Sequence, residues 1–247
     1  MAISNILSKF DDKIENNQQI NNTLEAIGQA LFKQWFIDFE FPNEDGKPYK
    51  SNGGEMVYNE ELEKEIPIGW KVTNFGEIIE ITSGKRPDEK SEIKNEEYTI
   101  PLVGASKVMG YTKKSIYEKE TIVTGRVGTH GIVQRFNEPI FPSDNTLVIT
   151  SQHYEYVYQY LLRVNYSVLN IGSTQPLITQ TSIKKLKVIL PVDNILVLFE
   201  RICNTLYKKY YENNKTSMTL LSIRDTLLPK LMSGKIRAKI PAENGEQ

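Results

Sequence analysis

Two stretches far apart in the chain, NNQQINNTLEAIGQAL at 16–31 and ENNKTSMTLLSIRDTL at 212–227, read as one helix written twice. A shift of 196 residues carries Asn17 onto Asn213, Thr23-Leu24 onto Thr219-Leu220, Ile27 onto Ile223 and Leu31 onto Leu227, with Lys13 falling on Lys209 just upstream. Around the first stretch, Ile3, Ile6, Phe10, Ile20, Leu24, Ile27 and Leu31 follow alternating steps of three and four, and Lys13 and Asn17 fill the gap. Such steps keep side chains on one narrow stripe of a helix, the seam of a coiled coil. No proline precedes Pro42, so the pattern predicts a helix over 3–36, about 50 Å long at 1.5 Å per residue. Around the second stretch the seam is Ile195, Phe199, Ile202, Leu206, Lys209, Asn213, Thr216, Leu220, Ile223 and Leu227. It predicts a helix over 193–231, with Asp193 as its N-cap and Pro229 as the residue that kinks or ends it. Asn17 and Asn213 form a polar layer at the same height in both seams, which sets register because misalignment would oppose Asn to apolar residues.

The chain between the helices changes character. Residues 40–58 mix Pro42, Gly46, Pro48, Gly53 and Gly54 with polar residues and read as a linker. Strand-like runs then appear at 99–103, 120–125, 131–136, 145–150 and 186–190, with a helical stretch at 154–165. YEYVYQY, within that stretch, is expected to bury several of its tyrosine rings against the domain. The expected fold class is α+β, one globular domain flanked by two long coil-forming helices. Its expected parts are a coil helix at 1–40, a linker at 41–69, the globular domain at 70–191, a second coil helix at 192–236 and a tail at 237–247.

Charge and composition narrow the function classes. The 247 residues carry a net charge of −1, but residues 1–69 hold 6 Lys and Arg against 13 Asp and Glu, whereas residues 70–190 hold 15 against 12. A nucleic-acid surface needs local positive charge, which a near-neutral total can hide. Only two histidines, His130 and His153, and one cysteine, Cys203, occur, so a His- or Cys-rich metal cluster is excluded. The single cysteine also excludes an internal disulfide and fits a reducing cytoplasm. No apolar run approaches the roughly 20 residues of a membrane span. No Asn-Pro-Pro-aromatic motif of an amino-methyltransferase is present. The expectation is a non-catalytic chain with no metal and no directly bound cofactor.

Three loops offer groups suited to DNA. TSGKRP at 82–87 joins hydroxyls, a glycine and two cations; Lys85 and Arg86 suit phosphates or a guanine edge, and a solvated loop is the plainer reading. GRVGTHG at 125–131 lies between strand-like residues, so a hairpin turn fits better than a phosphate-cradling loop before a helix. That turn either serves geometry alone or presents Arg126, Thr129 and His130 to DNA. GSTQP at 172–176 offers Gln175 for adenine and Ser173 and Thr174 for phosphates, or it is a turn or cap.

Several stretches taken together resemble the DNA-specificity subunits of type I restriction–modification systems. They are IENNQQINNTLEAIGQALFKQWFIDFE at 14–40, IPIGWKVTNFGEIIEITSGKRP at 66–87, GRVGTHGIV at 125–133 with PSDNT at 142–146, GSTQPLIT at 172–179 and LLSIRDTLLPKLMSGKI at 220–236. The resemblance implies helix, target-recognition domain, helix, with one recognition domain where the family usually carries two. It implies a subunit that reads half of a bipartite double-stranded DNA target and docks type I methyltransferase subunits, which themselves bind S-adenosylmethionine. A restriction subunit, the motor–nuclease, would join the full complex, and the chain would form a homodimer or pair with another partial specificity subunit. The implied DNA-contacting set is Ser83, Lys85, Arg86, Lys107, Arg126, Thr129, His130, Ser173, Thr174 and Gln175. The implied coil and partner set is Phe10, Asn17, Ile20, Leu24, Ile27, Leu31, Ile202, Leu206, Asn213, Leu220, Ile223 and Leu227. A coiled-coil scaffold from a truncated specificity cassette, without DNA readout, satisfies the same seams.

Overall fold

A computed structural model describes residues 2–127, 131–169, 177–233 and 235–236. In chain order the elements are α1 (Ala2–Phe32), β1 (Met56–Asn59), β2 (Lys64–Pro67), β3 (Lys71–Asn74), β4 (Glu80–Ser83), β5 (Ile100–Val103), β6 (Val108–Thr112), β7 (Thr121–Gly125), β8 (Val133–Phe136), β9 (Phe141–Pro142), β10 (Thr146–Thr150), α2 (Tyr154–Leu161), α3 (Gln180–Lys184), β11 (Lys187–Leu190) and α4 (Asp193–Met232). Two compact units result: residues up to Leu31 with those from Ile202 onward, and Phe32–Arg201.

The larger unit is built on an antiparallel sheet in the order β4-β10-β7-β8. Its central strands are apolar without alternation, TIVTG and TLVIT, and are buried along nearly their whole length, as strands covered on both faces must be. A second sheet, β6-β5-β9, pairs β5 with β9 in parallel. Val103, Val123 and Ile140 form one buried cluster, with Tyr117 and Phe136 against it. Residues 41–69, expected as a linker, instead hold the β1–β2 hairpin. Aromatic packing explains the order there: a single π-helical turn at Lys33–Ile37 precedes Phe39, which takes a left-handed backbone (φ 62°) and is buried. Phe41 then stacks on both Tyr49 and Trp70.

Helix α2 is buried on nearly every side. Its tyrosines pack inward as the sequence implied, with Tyr156 and Tyr160 donating to the carbonyls of Ile189 and Lys187. It also buries Glu155, 1% exposed, in a two-pronged pair with Arg135 on β8. Arg135 in turn lies over the rings of Tyr154 and Tyr158. Glu200, on the first turns of α4, accepts the backbone N–H groups of Glu155 and Tyr156 at 3.1 and 2.9 Å, satisfying donors that the start of a helix leaves orphaned. Burial raises the Glu155 carboxyl, opposed by Arg135. Burial also pushes Glu200 up to about 7, against the pull of its two N–H donors.

In the smaller unit α1 and α4 pair antiparallel within the chain. Asn17 donates to the Asn213 carbonyl and to Ser217, Asn213 donates to Asn21, and Asn21 donates to Asn214 at 2.7 Å. Arg224 bonds Asp11 further along, at 2.8 Å. The 196-residue repeat also relates two contacts of the polar layer, since Asn17–Ser217 maps onto Asn213–Asn21. The polar layer therefore exists, but the seam is phased differently from the sequence reading. Phe10, Asn17, Leu24, Leu31, Leu206, Asn213, Leu220 and Leu227 are all partly or fully buried. The alternate positions belong to Ile14, Asn21 and Gly28, and to Cys203, Tyr210, Ser217 and Arg224. Each of these is more buried than the residue before it, namely Lys13, Ile20, Ile27, Ile202, Lys209, Thr216 and Ile223. Ile27 and Ile223 are 45% and 41% exposed. Pro229 does not end α4 at once; the helix runs three residues further, to Met232.

Two outcomes follow from these polar groups. Glu200 has its pKa raised in the folded state, so its contribution is present below the unfolded carboxylate range and is lost as pH rises through about 7. Stability should fall between pH 5 and pH 8 by up to about 3 kcal/mol, and Glu200→Gln should flatten that slope in thermal unfolding followed across pH. Asn17→Leu adds apolar burial to the seam and removes a register lock, so stability should rise by about 1 kcal/mol while the oligomer distribution broadens in light scattering.

Candidate nucleic-acid interface

The β4-β10-β7-β8 sheet brings the ends of four strands to one place. Ser83 at the end of β4 pairs with Leu147, Gly125 at the end of β7 pairs with Thr146 at the start of β10, and Thr124 pairs with Val133 at the start of β8. Just before β10, Ser143–Thr146 forms a β-turn, with Thr146 N–H and hydroxyl both donating to the Ser143 carbonyl. Pro142, Ser143 and Thr146 are buried, whereas Asp144 and Asn145 are exposed.

Among the described residues, main-chain hydrogen bonds tie the neighbouring loops to this turn, directly or through Arg126. Gly84 N–H donates to the Thr146 carbonyl at 3.1 Å, and Lys85 N–H to the Pro142 carbonyl at 2.9 Å. Arg126 N–H donates to the Asn145 carbonyl at 2.9 Å, and Ile178 N–H to the Arg126 carbonyl at 3.0 Å. Ser143 N–H donates to Val103, and the following Gly104 closes a turn with Lys107. Gly84 has to be glycine, because a Cβ there would meet the Ser143 carbonyl oxygen at 2.1 Å and that of Pro142 at 2.5 Å.

The structure thus gathers Ser83, Lys85, Arg86, Lys107 and Arg126 around residues 142–146. Lys85, Arg86 and Lys107 are exposed and Arg126 is half-buried. Among the described residues none of the four cations is in an ion pair. Ser83 is held from within: Gln180, at the start of α3, accepts from both the N–H and the hydroxyl of Ser83 and donates to the Ile81 carbonyl. The sequence reading also named Thr129, His130, Ser173, Thr174 and Gln175, which lie outside the described residues.

Lys85 and Arg86 continue into a groove of about 590 Å³ shared with Asp88, Glu89, Lys113, Lys114 and Phe141. Lys113 sits between Glu89 and Glu97 at 3.2 and 3.3 Å and over the Tyr98 ring, so its ammonium is raised above its ordinary value. Lys114 is not in an ion pair among the described residues. The sequence reading missed Lys113, Lys114, Gln180 and the organising role of the turn; the only sequence signal for the last was PSDNT between two strand-like runs. Among the described residues, no group of His, Cys, Asp and Glu is placed to hold a metal, and no helix is long and apolar enough to cross a membrane.

Residues 67–217, which contain this whole arrangement, match the family described as the Type I restriction modification DNA specificity domain. The chain belongs to that family. Its members are the non-catalytic DNA-recognition subunits of type I systems. The chain is 34% identical to the type I restriction enzyme MjaIX specificity subunit of Methanocaldococcus jannaschii, over 96% of this chain and 58% of that protein. It is 26% identical to the HindI specificity subunit of Haemophilus influenzae, over 95% of this chain and 66% of that protein. The solved type I S subunit of M. genitalium shares the fold, with a TM-score of 0.63 at 22% identity, over 93% of this chain and 59% of that one. The chain therefore spans about three-fifths of the length of the relatives it matches.

The geometry of the turn makes a direct test. Gly84→Ala forces its methyl group into two carbonyl oxygens, so it should lower stability in urea unfolding by about 3 kcal/mol.

Proposed function

We propose that the chain reads half of a bipartite double-stranded DNA target through the end of its four-stranded sheet. The observation that carries this reading is the collection of Lys85, Arg86, Lys107 and Arg126, drawn from three separate loops, around one turn. Cations without carboxylate partners retain their full attraction for phosphates, and the release of counterions drives binding. Loops anchored through their main chains leave their side chains available for base edges.

The helical pair is proposed as the platform for methyltransferase subunits, which supply S-adenosylmethionine and methylate the DNA, with a restriction subunit joining through them. Because α1 and α4 already close their seam within one chain, a second copy or another partial specificity subunit is proposed to attach by other surfaces of the helices, such as those carrying Ile27 and Ile223. Those exposed isoleucines are also what a scaffold role would use.

Replacing Lys85, Arg86 and Arg126 together by alanine tests the reading. The salt dependence of duplex binding should become shallower by about one unit for each phosphate that loses its cation, while the melting temperature stays unchanged. Normal binding by the triple variant at several salt concentrations overturns the assignment.

A further inference from the structure

The turn from β5 into β6 carries two adjacent apolar residues where a regular strand would hide one of them. Successive side chains of a strand point to opposite faces, yet Lys107, Val108 and Met109 are all exposed, the last two at 40% and 45%. The register explains this. Leu102 pairs with Gly110 and Val103 with Val108, so Met109 is an extra residue, a β-bulge. A bulge breaks the alternation and re-aims a side chain. The Met109 side chain lies across Gly104, where a Cβ would meet its sulfur at 2.5 Å. The base of the turn is held firmly. Gly104 N–H donates to the Lys107 carbonyl at 2.8 Å, the Gln134 side chain on β8 donates to the Gly104 carbonyl at 2.8 Å, and Ser143 N–H donates to the Val103 carbonyl at 2.9 Å.

The setting of this apolar pair selects its ligand. Pro142 accepts the N–H of Lys85, and the adjacent Ser143 binds Val103, so the β5–β6 turn is fastened next to the loop of Lys85 and Arg86, and Lys107 directly precedes the pair. Lys85, Arg86 and Arg126 stand in stretches that the chain shares with its family, whereas residues 104–109 lie outside them. A residue common to the family does not distinguish one member's target from another's; contacts to phosphates, which carry no sequence information, suit the shared cations. We infer that Val108 and Met109 are specificity-determining residues that read a thymine in the major groove through its 5-methyl group. Valine has no polar side-chain atom and the methionine thioether is only a weak acceptor, so neither matches the polar edge of a base. The thymine methyl is the apolar group that an unmodified base pair presents, and it lies in the major groove. The neighbouring cations hold the phosphates on either side. This inference rests on the DNA-reading proposal.

The test begins with selection from a randomised duplex library by the full chain. Each thymine of the selected motif, on either strand, is then replaced singly by deoxyuridine, which removes the methyl group and leaves every hydrogen-bonding group in place. At one thymine the replacement should weaken wild-type binding by about fourfold, the worth of one buried methyl group. The double variant Val108→Thr, Met109→Gln keeps the size of both side chains and makes them polar. It should bind the thymine and deoxyuridine duplexes equally, with melting temperature and salt slope unchanged. The apolar double variant Val108→Ile, Met109→Leu should keep the preference for thymine. Three results overturn the inference and leave DNA reading intact: a motif in which no thymine is sensitive to loss of its methyl group, a polar variant that retains the wild-type sensitivity, or an apolar variant that loses it. A wild type that enriches no sequence overturns both.

Discussion

The main-chain hydrogen bonds converging on Pro142–Thr146 are the constraint on which the loop-bearing end of the four-stranded sheet depends. Carbonyl oxygens of Pro142, Asn145 and Thr146 receive N–H groups from Lys85, Arg126 and Gly84, while the N–H of Ser143 goes to Val103. Buried backbone groups need partners, so these loops cannot separate without orphaning several of them together. Side chains then become free to differ, because position is held by atoms that every residue has.

The buried charges behind the sheet perform a related task. Arg135, Glu155 and Glu200 join β8, α2 and the first turns of α4 in one hydrogen-bonded array. Burial is the main reason that Glu200 is displaced so far from the ordinary carboxylate range, and the neighbouring carboxyl of Glu155 adds a smaller push in the same direction. Such an array stabilises less than an apolar core of the same volume, but it tolerates few alternative packings.

Much of the architecture was legible from period and composition. The two long helices announced themselves through steps of three and four, and five strand-like runs correspond to β5, β7, β8, β10 and β11. The seam's phase was not legible. Ile20, Ile27 and Ile223 are more apolar than the neighbouring Asn21, Gly28 and Arg224, so hydrophobicity alone selects them. The pair instead closes on small and polar residues that satisfy one another across the interface, as Asn21 and Asn213 do. At the interface, the sequence exposed the cations and the glycines but not their convergence, because strand pairings such as β4 with β10 join residues more than sixty positions apart. Buried charge was equally hidden, since Arg and Glu ordinarily signal surface.

The repeat in the helices has a topological consequence. Because the pairing of Asn17 with Ser217 maps onto that of Asn213 with Asn21, in this polar layer each helix presents to its partner what the partner presents to it. An antiparallel pair of this kind does not record which helix came first in the chain. A circularly permuted gene, opening with the later helix and closing with the earlier one, would write the same seam. Connectivity in the smaller unit is thus decoupled from packing, and the order of its pieces is a matter of how the gene is cut.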